Sequence, residues 1–164
     1  IFLETDLFNA GIRPAVNPGI SVSRVGGAAQ IKAMKKVSGS LKLTYSQYRE
    51  LQSFSQFGSD LDKDTKERLA LGERVVEVLK QDRNSPIAVE NQVLIIYAVT
   101  HNYLKDIAVS DVLEFQNEMF DFIAESHPDI TETIRTQKVL TPEAEDELKD
   151  ALNEFVKKFL AEKA

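Results

Sequence analysis

The segment from Gly11 to Gln30 places the strongest constraint on the fold that this sequence can adopt. It contains four of the seven glycines and two of the five prolines in the sequence. Because these residues adopt or impose special backbone angles, the segment must form defined turns. Arg13 and Arg24 lie within it, and a rigid frame gives each guanidinium a fixed position suited to phosphate. The alternative is a turn, a short strand and a helix start with a surface ion pair.

Composition limits the classes of function that are open to this protein. Its 164 residues suffice for one domain with a core, or for a small domain with part of another. Hydrophobic residues at 43% and charged residues at 28% are typical of a soluble globular protein. With a net charge of -6, we expect no nucleic-acid partner. The absence of cysteine excludes disulfides and thiolate sites, and the apolar runs are too short to span a bilayer.

The hydrophobic pattern changes from strand to helix along the sequence. Two apolar runs, Ile1–Leu3 and Ile20–Val22, predict strands at the edge of an α/β domain. Because the sequence starts inside the first run without a methionine, we expect an excised fragment. The helical spacing that follows predicts a mainly α protein, with a bundle of about six helices after a short α/β remnant. We assign residues 1–34 to that remnant and residues 35–164 to the bundle.

Three local signals set the details of the bundle. The run Val93–Val99 is apolar all round and fits a strand or a buried helix, of which its length and cap favour the helix. Gly72 lies within a predicted helix and should weaken it by about 1 kcal/mol relative to alanine. Capping residues predict where helices begin. The predicted N-caps are Ser85 before Pro86, Ser110, Thr141 before Pro142, and Asp60 or Asp62.

Three motifs, in order and with matching spacing, resemble the C-terminal third of the α subunit of the rotary ATP synthase. They are Gly11–Pro14, then Ser21–Gly26 followed by Ala28-Ala29-Gln30, and Gln56–Asp62. The resemblance covers the whole sequence and implies a fragment of the noncatalytic, regulatory α subunit of a proton- or sodium-translocating ATP synthase. The sequence lacks a phosphate loop ending in Gly-Lys-Ser or Gly-Lys-Thr, so we do not expect the fragment itself to be catalytic.

The resemblance implies that Arg24 and Ser21 act in catalysis on a neighbouring subunit. Arg24 matches the family's arginine finger, which reaches from the α subunit into the catalytic site of the adjacent β subunit. A planar guanidinium that is always protonated suits the charge that develops on the transferred phosphoryl group. Ser21 matches a position required for activity, and we expect it to hold the backbone near Arg24 or to reach the interface. From its own sequence context, Ser21 is simply a strand serine.

The resemblance also implies a nucleotide contact. Arg13, Pro14 and Gln81 match the wall of the α subunit's adenine-side pocket. A second glutamine is frequent in the family two residues further on, where this sequence has Arg83. Gln81 could also be a solvated glutamine at a helix end. The implied cofactor is ATP or ADP with Mg in the intact complex, with none expected for the fragment.

The implied partners are β subunits and the γ subunit of the central stalk. Membrane contact would come only through the complex, on the cytoplasmic face of a bacterial inner membrane or its mitochondrial or chloroplast equivalent. The stretch Ser59–Asp64 occupies the place of the β subunit's acidic lever loop without matching its longer sequence, which favours α. Either a loop facing the stalk or a solvated turn that caps a helix explains this stretch.

Two other classes of function remain open at the level of sequence. One is a free-standing helical module that binds a partner helix, although such a module would not need the opening sheet remnant. The other is an acid/base enzyme that uses Asp60 and Asp62, which no histidine or cysteine accompanies and which a helix start explains. His101 and His127 lie on separate predicted helices without ligand spacing, so we expect no metal site.

Overall fold

The computed structural model describes residues 1–55 and 61–163, and these form helices joined by short turns. The mainly α fold and the bundle of about six helices, α4 to α9, are confirmed. A 3-10 turn over Val109–Asp111 leads into α7. The helices are α1 Thr5–Asn9, α2 Arg24–Ala29, α3 Lys32–Ser38, α4 Leu41–Ser55, α5 Lys63–Val78, α6 Val89–Thr100, α7 Val112–Ser126, α8 Pro128–Gln137 and α9 Pro142–Lys163.

Helix α6 is the centre of the core. Every side chain from Val93 to Val99 is buried, and α3, α5 and α8 all pack against this helix. A helix that is apolar all round needs neighbours on every side, and these three supply them. The prediction of a buried helix for this run is confirmed.

The contact between α4 and α5 depends on a glycine. Gly72 is buried in α5, and a Cβ added to it would overlap Cβ, Cγ and Cδ2 of Tyr48 on α4. The missing side chain therefore lets the Tyr48 ring lie directly against the α5 backbone. Gly72 was predicted only to weaken its helix, and that interpretation missed its packing role.

Helices α7 and α9 meet through phenylalanine rings. The Phe115 ring centroid lies 5.1 Å from that of Phe155 and 5.3 Å from that of Phe159, both in edge-on contacts. Phe115 is completely buried. Such pairs add to the hydrophobic gain from burial, so this cluster fixes α9 against α7.

A polar contact joins three helices at the edge of the core. The Tyr97 hydroxyl of α6 donates to Glu145 Oε1 of α9 at 3.2 Å, while Lys36 Nζ of α3 contacts Glu145 Oε2. The hydrogen bond from Lys36 is the main cause that lowers the pKa of Glu145. Burial, followed by the neighbouring Glu145 carboxylate, raises the pKa of Tyr97.

Some predicted helix starts are right and others are wrong. Asp62 caps α5 and Thr141 Oγ1 accepts the Ala144 N–H at 3.2 Å, as predicted. Asp60 lies outside the described residues. Ser85 and Pro86 do not start α6, because Gln81 Nε2 donates to the Ser85 carbonyl at 2.8 Å and the helix begins at Val89. Ser110 falls inside the 3-10 turn, so Asp111 occupies the N-cap position of α7.

The first 31 residues form turns and short helices rather than strands. Among the described residues, the only strand-like pairing is a single antiparallel bridge between Leu3 and Val16. The prediction of a strand at Ile20–Val22 is therefore wrong. No neighbouring segment in the described residues pairs with it, and a strand exists only through its partner. Gln30, whose ψ is 136°, separates α2 from α3.

Candidate functional site

Arg24 is the first residue of α2 and points away from the core. Ser23 caps this helix, since its Oγ accepts the Gly26 N–H at 3.0 Å. No residue of α2 is buried. Within residues 1–55 and 61–163, the Arg24 guanidinium makes no hydrogen bond or ion pair. The cap fixes the backbone while the charged group remains available to an outside ligand.

Ser21 ties the segment before Arg24 to two other parts of the protein. Its Oγ accepts the backbone N–H of Phe2 at 3.0 Å, and its carbonyl accepts Lys42 Nζ from α4 at 3.1 Å. The Ser21 hydroxyl thus holds the backbone at Phe2 rather than the backbone near Arg24. Its part in activity stays a prediction.

A second lysine contacts the other end of the same segment. Lys35 Nζ of α3 donates to the Ala28 carbonyl at 3.4 Å, so lysines from α3 and α4 hold the Arg24 segment from both sides. Neither Lys35 nor Lys42 was among the predicted site residues. A signal was present, because no acidic residue lies between Asp6 and Glu50, a stretch that contains seven lysines and arginines.

Arg13, Pro14 and Gln81 come together although Pro14 and Gln81 are 67 positions apart in the sequence. They line a cavity of about 540 Å³ with Arg83. The Gln81 backbone N–H donates to the Arg13 carbonyl at 2.9 Å, which fixes the loop after α5 against the N-terminal turns. Arg24 does not line this cavity, so the two groups of predicted site residues form separate sites.

The walls of this cavity suit a flat, uncharged ring. Leu3, Phe8 and Pro14 supply apolar surface, and the Arg13 guanidinium lies over the Phe8 ring at 4.3 Å from its centroid. Asp82, Arg83 and the Gln81 side chain, whose Nε2 already donates to the Ser85 carbonyl, add polar groups at the edge. Leu3 and Phe8 were not among the predicted site residues. Their exposure, 72% and 51%, shows that apolar surface here remains free to contact a ring.

Asp62, the one of the two candidate acid/base residues that the structure describes, has a structural partner. Both oxygens of Asp62 accept hydrogen bonds from Thr65, at 2.9 Å from its N–H and 2.8 Å from its hydroxyl. The backbone hydrogen bond is the main cause that lowers the Asp62 pKa, which is unfavourable for a general base near neutral pH. Of the stretch Ser59–Asp64, Ser59 and Asp60 lie outside the described residues.

The two histidines lie apart. The His101 ring stacks on Tyr97 at 3.9 Å between centroids, and His127 Nδ1 lies 3.2 Å from Glu147 Oε1. In the part of the protein that the structure describes, no group of three or more histidine, aspartate or glutamate residues could hold a metal ion. None of the helices described there is both long and apolar enough to cross a membrane.

A comparison with protein families identifies the bundle. The family model described as "ATP synthase alpha/beta chain, C terminal domain" matches residues 30–155. This range contains α3, α4 to α8, and α9 as far as Phe155. The Arg24 segment lies just before it. A helical bundle is the fold of that domain. The protein therefore belongs to the family of C-terminal domains of the ATP synthase alpha and beta subunits.

Proposed function

We propose that this protein is part of the α subunit rather than the β subunit of a proton- or sodium-translocating ATP synthase. The motifs Gly11–Pro14 and Ser21–Gly26 support this choice, because they lie outside the matched range 30–155 and resemble the α subunit. Residues 1–31 would then be the edge of the nucleotide-binding domain. A boundary slightly before position 34 is supported by Ala33 and Met34, which are buried in the core of the bundle.

Arg24 supplies an arginine finger to the catalytic site of an adjacent β subunit. The observation that carries this proposal is its exposed guanidinium without a partner in the described residues, on a segment held by a helix cap and two lysines. When ATP is bound in the β site, negative charge spreads over its γ-phosphoryl oxygens in the transition state. A planar guanidinium can donate two hydrogen bonds to such oxygens, and this contribution is worth roughly 10³ to 10⁵ in rate in related enzymes.

The cavity beside Arg13, Pro14 and Gln81 holds the base of a noncatalytic nucleotide, ATP or ADP with Mg. Its apolar walls and the amide of Gln81 fit such a ring. The phosphates and Mg would be bound by parts of the subunit outside this sequence. In the assembled enzyme the bundle lies beside β subunits and the γ subunit, peripheral to a membrane, and we place it on the cytoplasmic face of a bacterial membrane or the organellar equivalent.

The proposal is tested by replacing Arg24 in the complete complex. Arg24→Ala should lower multisite ATP hydrolysis per assembled complex by about three powers of ten or more, with little effect on assembly. Arg24→Lys should restore little, because an ammonium cannot form the planar two-pronged contact. Arg68→Ala, an exposed arginine on α5, is the matched control and should leave turnover unchanged.

Near-normal turnover in fully assembled Arg24→Ala complexes would refute the arginine finger. A loss of assembly without a loss of turnover per complex would instead indicate a structural role.

The nucleotide cavity is tested with Arg13→Ala complexes prepared in the same way. They should retain less nucleotide at the noncatalytic sites after gel filtration, while the catalytic sites keep theirs. Unchanged retention would remove the nucleotide role from this cavity.

A further inference from the structure

The loop between α5 and α6 contains an exposed asparagine in an uncommon backbone conformation. Asn84 has a φ of 63°, a left-handed conformation that asparagine adopts more readily than most residues. Its side chain is exposed and makes no hydrogen bond within residues 1–55 and 61–163. The Asn84 carboxamide is therefore free to turn towards the neighbouring backbone.

The residue after Asn84 determines whether this side chain can react with the backbone. An asparagine is converted when the amide nitrogen of the next residue attacks its Cγ, closes a succinimide ring and releases ammonia. Ser85 supplies that nitrogen, and its small side chain leaves the nitrogen accessible. The Ser85 N–H is held only by the Asp82 carbonyl at 3.3 Å, beyond the usual range for such a bond. Little therefore opposes the attack.

The other six asparagines in the sequence lack this combination. Asn17 precedes Pro18, which has no N–H. Asn102 has the same φ of 63° and is also exposed, but the Tyr103 N–H that follows it donates to the Ala98 carbonyl at 3.0 Å. The remaining four lie within helices, where the N–H of the following residue is bonded to a carbonyl one turn earlier. They are Asn9, Asn91, Asn117 and Asn153.

We propose that Asn84 is a site of spontaneous modification in the folded protein. Attack by the Ser85 nitrogen releases the side-chain nitrogen as ammonia, and water then opens the succinimide at either of its carbonyls. One opening gives aspartate, and the other gives isoaspartate, in which the backbone runs through the former side chain. Both products add a negative charge next to Arg83 in the sequence, and isoaspartate also lengthens the loop by a methylene group.

Isoaspartate at position 84 breaks the contact that closes this loop. Gln81 Nε2 donates to the Ser85 carbonyl at 2.8 Å, so this hydrogen bond spans the residue that changes. A longer backbone between Arg83 and Ser85 moves the carbonyl away from the Gln81 amide, whereas aspartate keeps the original spacing. Only isoaspartate therefore releases the Gln81 side chain. This inference does not depend on the nucleotide role proposed for Gln81.

The test incubates the 164-residue protein at mildly alkaline pH and follows every asparagine by peptide mass mapping. We expect Asn84 to be the first to gain the mass difference between O and NH. Conversion of Asn102, the matched control with the same φ, should be about tenfold slower, because the Tyr103 hydrogen bond must break before the attack. Ser85→Val should slow conversion of Asn84 several-fold, since a β-branched side chain shields the attacking nitrogen.

The same measurement in urea shows whether the fold exposes or protects the site. Unfolding should raise the rate at Asn102, which loses its protecting hydrogen bond, and leave the rate at Asn84 nearly unchanged. An equal rise at both residues would show that the fold protects Asn84 and would overturn the proposal. Faster conversion at any other asparagine of the folded protein, or aspartate without isoaspartate at position 84, would also overturn it.

The effect on the loop is measured on the isoaspartate form after chromatographic separation. Its matched control is Asn84→Asp, which carries the same added charge on a backbone of normal length. The side-chain amide signals of Gln81 in NMR spectra should shift in the isoaspartate form relative to Asn84→Asp. Identical Gln81 signals in the two forms would show that the longer backbone does not release this side chain.

Discussion

Residues 1–31 and residues 32–163 differ in the exposure of their large apolar side chains. The bundle buries its large apolar residues wholly or in part, with Leu43 and Leu113 as its only exposed ones among those described. In the first 31 residues, all of which the structure describes, only Leu7 is buried, and seven large apolar side chains are exposed. They are Ile1, Phe2, Leu3, Phe8, Ile20, Val22 and Val25.

This difference shows that the two regions are specified by different contacts. The bundle is determined by packing within itself. The first region presents apolar and basic side chains at its surface, and contiguous exposed apolar surface is typical of a region that binds other protein surfaces. Its backbone is fixed mainly by caps and by hydrogen bonds such as that from Phe2 to Ser21.

The same substitution in both regions gives the largest expected contrast. Phe115→Ala should lower the free energy of unfolding by about 4 kcal/mol, because it leaves a cavity beside Phe155 and Phe159. Phe2→Ala, at a ring that is 59% exposed, should change it by less than about 0.5 kcal/mol. Urea denaturation of the 164-residue protein measures both. Similar losses for the two variants would contradict the division into two regions.

A pair of glycines sharpens the contrast. Gly72→Ala forces a methyl group into the Tyr48 ring, and a cost of about 3 kcal/mol, offset by about 1 kcal/mol of helix propensity, leaves a net loss of about 2 kcal/mol. Gly27→Ala in α2 meets nothing within 4 Å and should cause no loss. Thermal unfolding checks both, and an unaffected Gly72→Ala protein would show that α4 and α5 can move apart freely.

The carboxylate of Glu145 makes the stability of the bundle depend on pH. Its pKa is lowered in the folded state, so its stabilising effect is complete above the unfolded value of about 4.3 and disappears as the pH falls through the folded pKa. Glu145→Gln should therefore cost about 1.5 kcal/mol at pH 7 and much less near pH 3. A difference from the unmodified protein that stays constant across this range in urea denaturation would disprove the assignment. Glu114→Gln, at a surface pair with Lys163, should have the smaller effect.

Two helix caps give the smallest expected difference. Thr141→Ala removes the acceptor for the Ala144 N–H and should lower global stability by about 1 kcal/mol. Ser23→Ala removes the equivalent acceptor for the Gly26 N–H. It should speed hydrogen exchange in α2 without changing the midpoint of global unfolding, because α2 contributes no buried residue. If Ser23→Ala shifted that midpoint, α2 would unfold together with the bundle, and this expectation would be wrong.

The sequence predicts features that depend on neighbouring residues and misses those that depend on distant ones. The helix over Val93–Val99 and the caps Asp62 and Thr141 follow from local pattern. The predicted start of α6 is wrong, since hydrogen bonds from Gln81 to Ser85 and from Gln92 to Ile87 hold the preceding loop outside the helix. The role of Gly72 requires the position of Tyr48 on another helix.

The candidate sites follow the same division. That Arg13 and Gln81 share a cavity is expected from the family resemblance alone, because no periodicity links positions so far apart. The stretch between Asp6 and Glu50 carries only basic charges. This feature of the sequence indicates the region in which Lys35 and Lys42 lie.

The two lysine contacts to the Arg24 segment have a mechanical consequence. Each lysine side chain ends in an ammonium on a flexible stem, and its hydrogen bond to a carbonyl survives a wide range of rotations. Lys42 at Ser21 and Lys35 at Ala28 therefore act as short tethers rather than rigid struts. They limit how far the segment can move away from α3 and α4 while leaving it free to tilt.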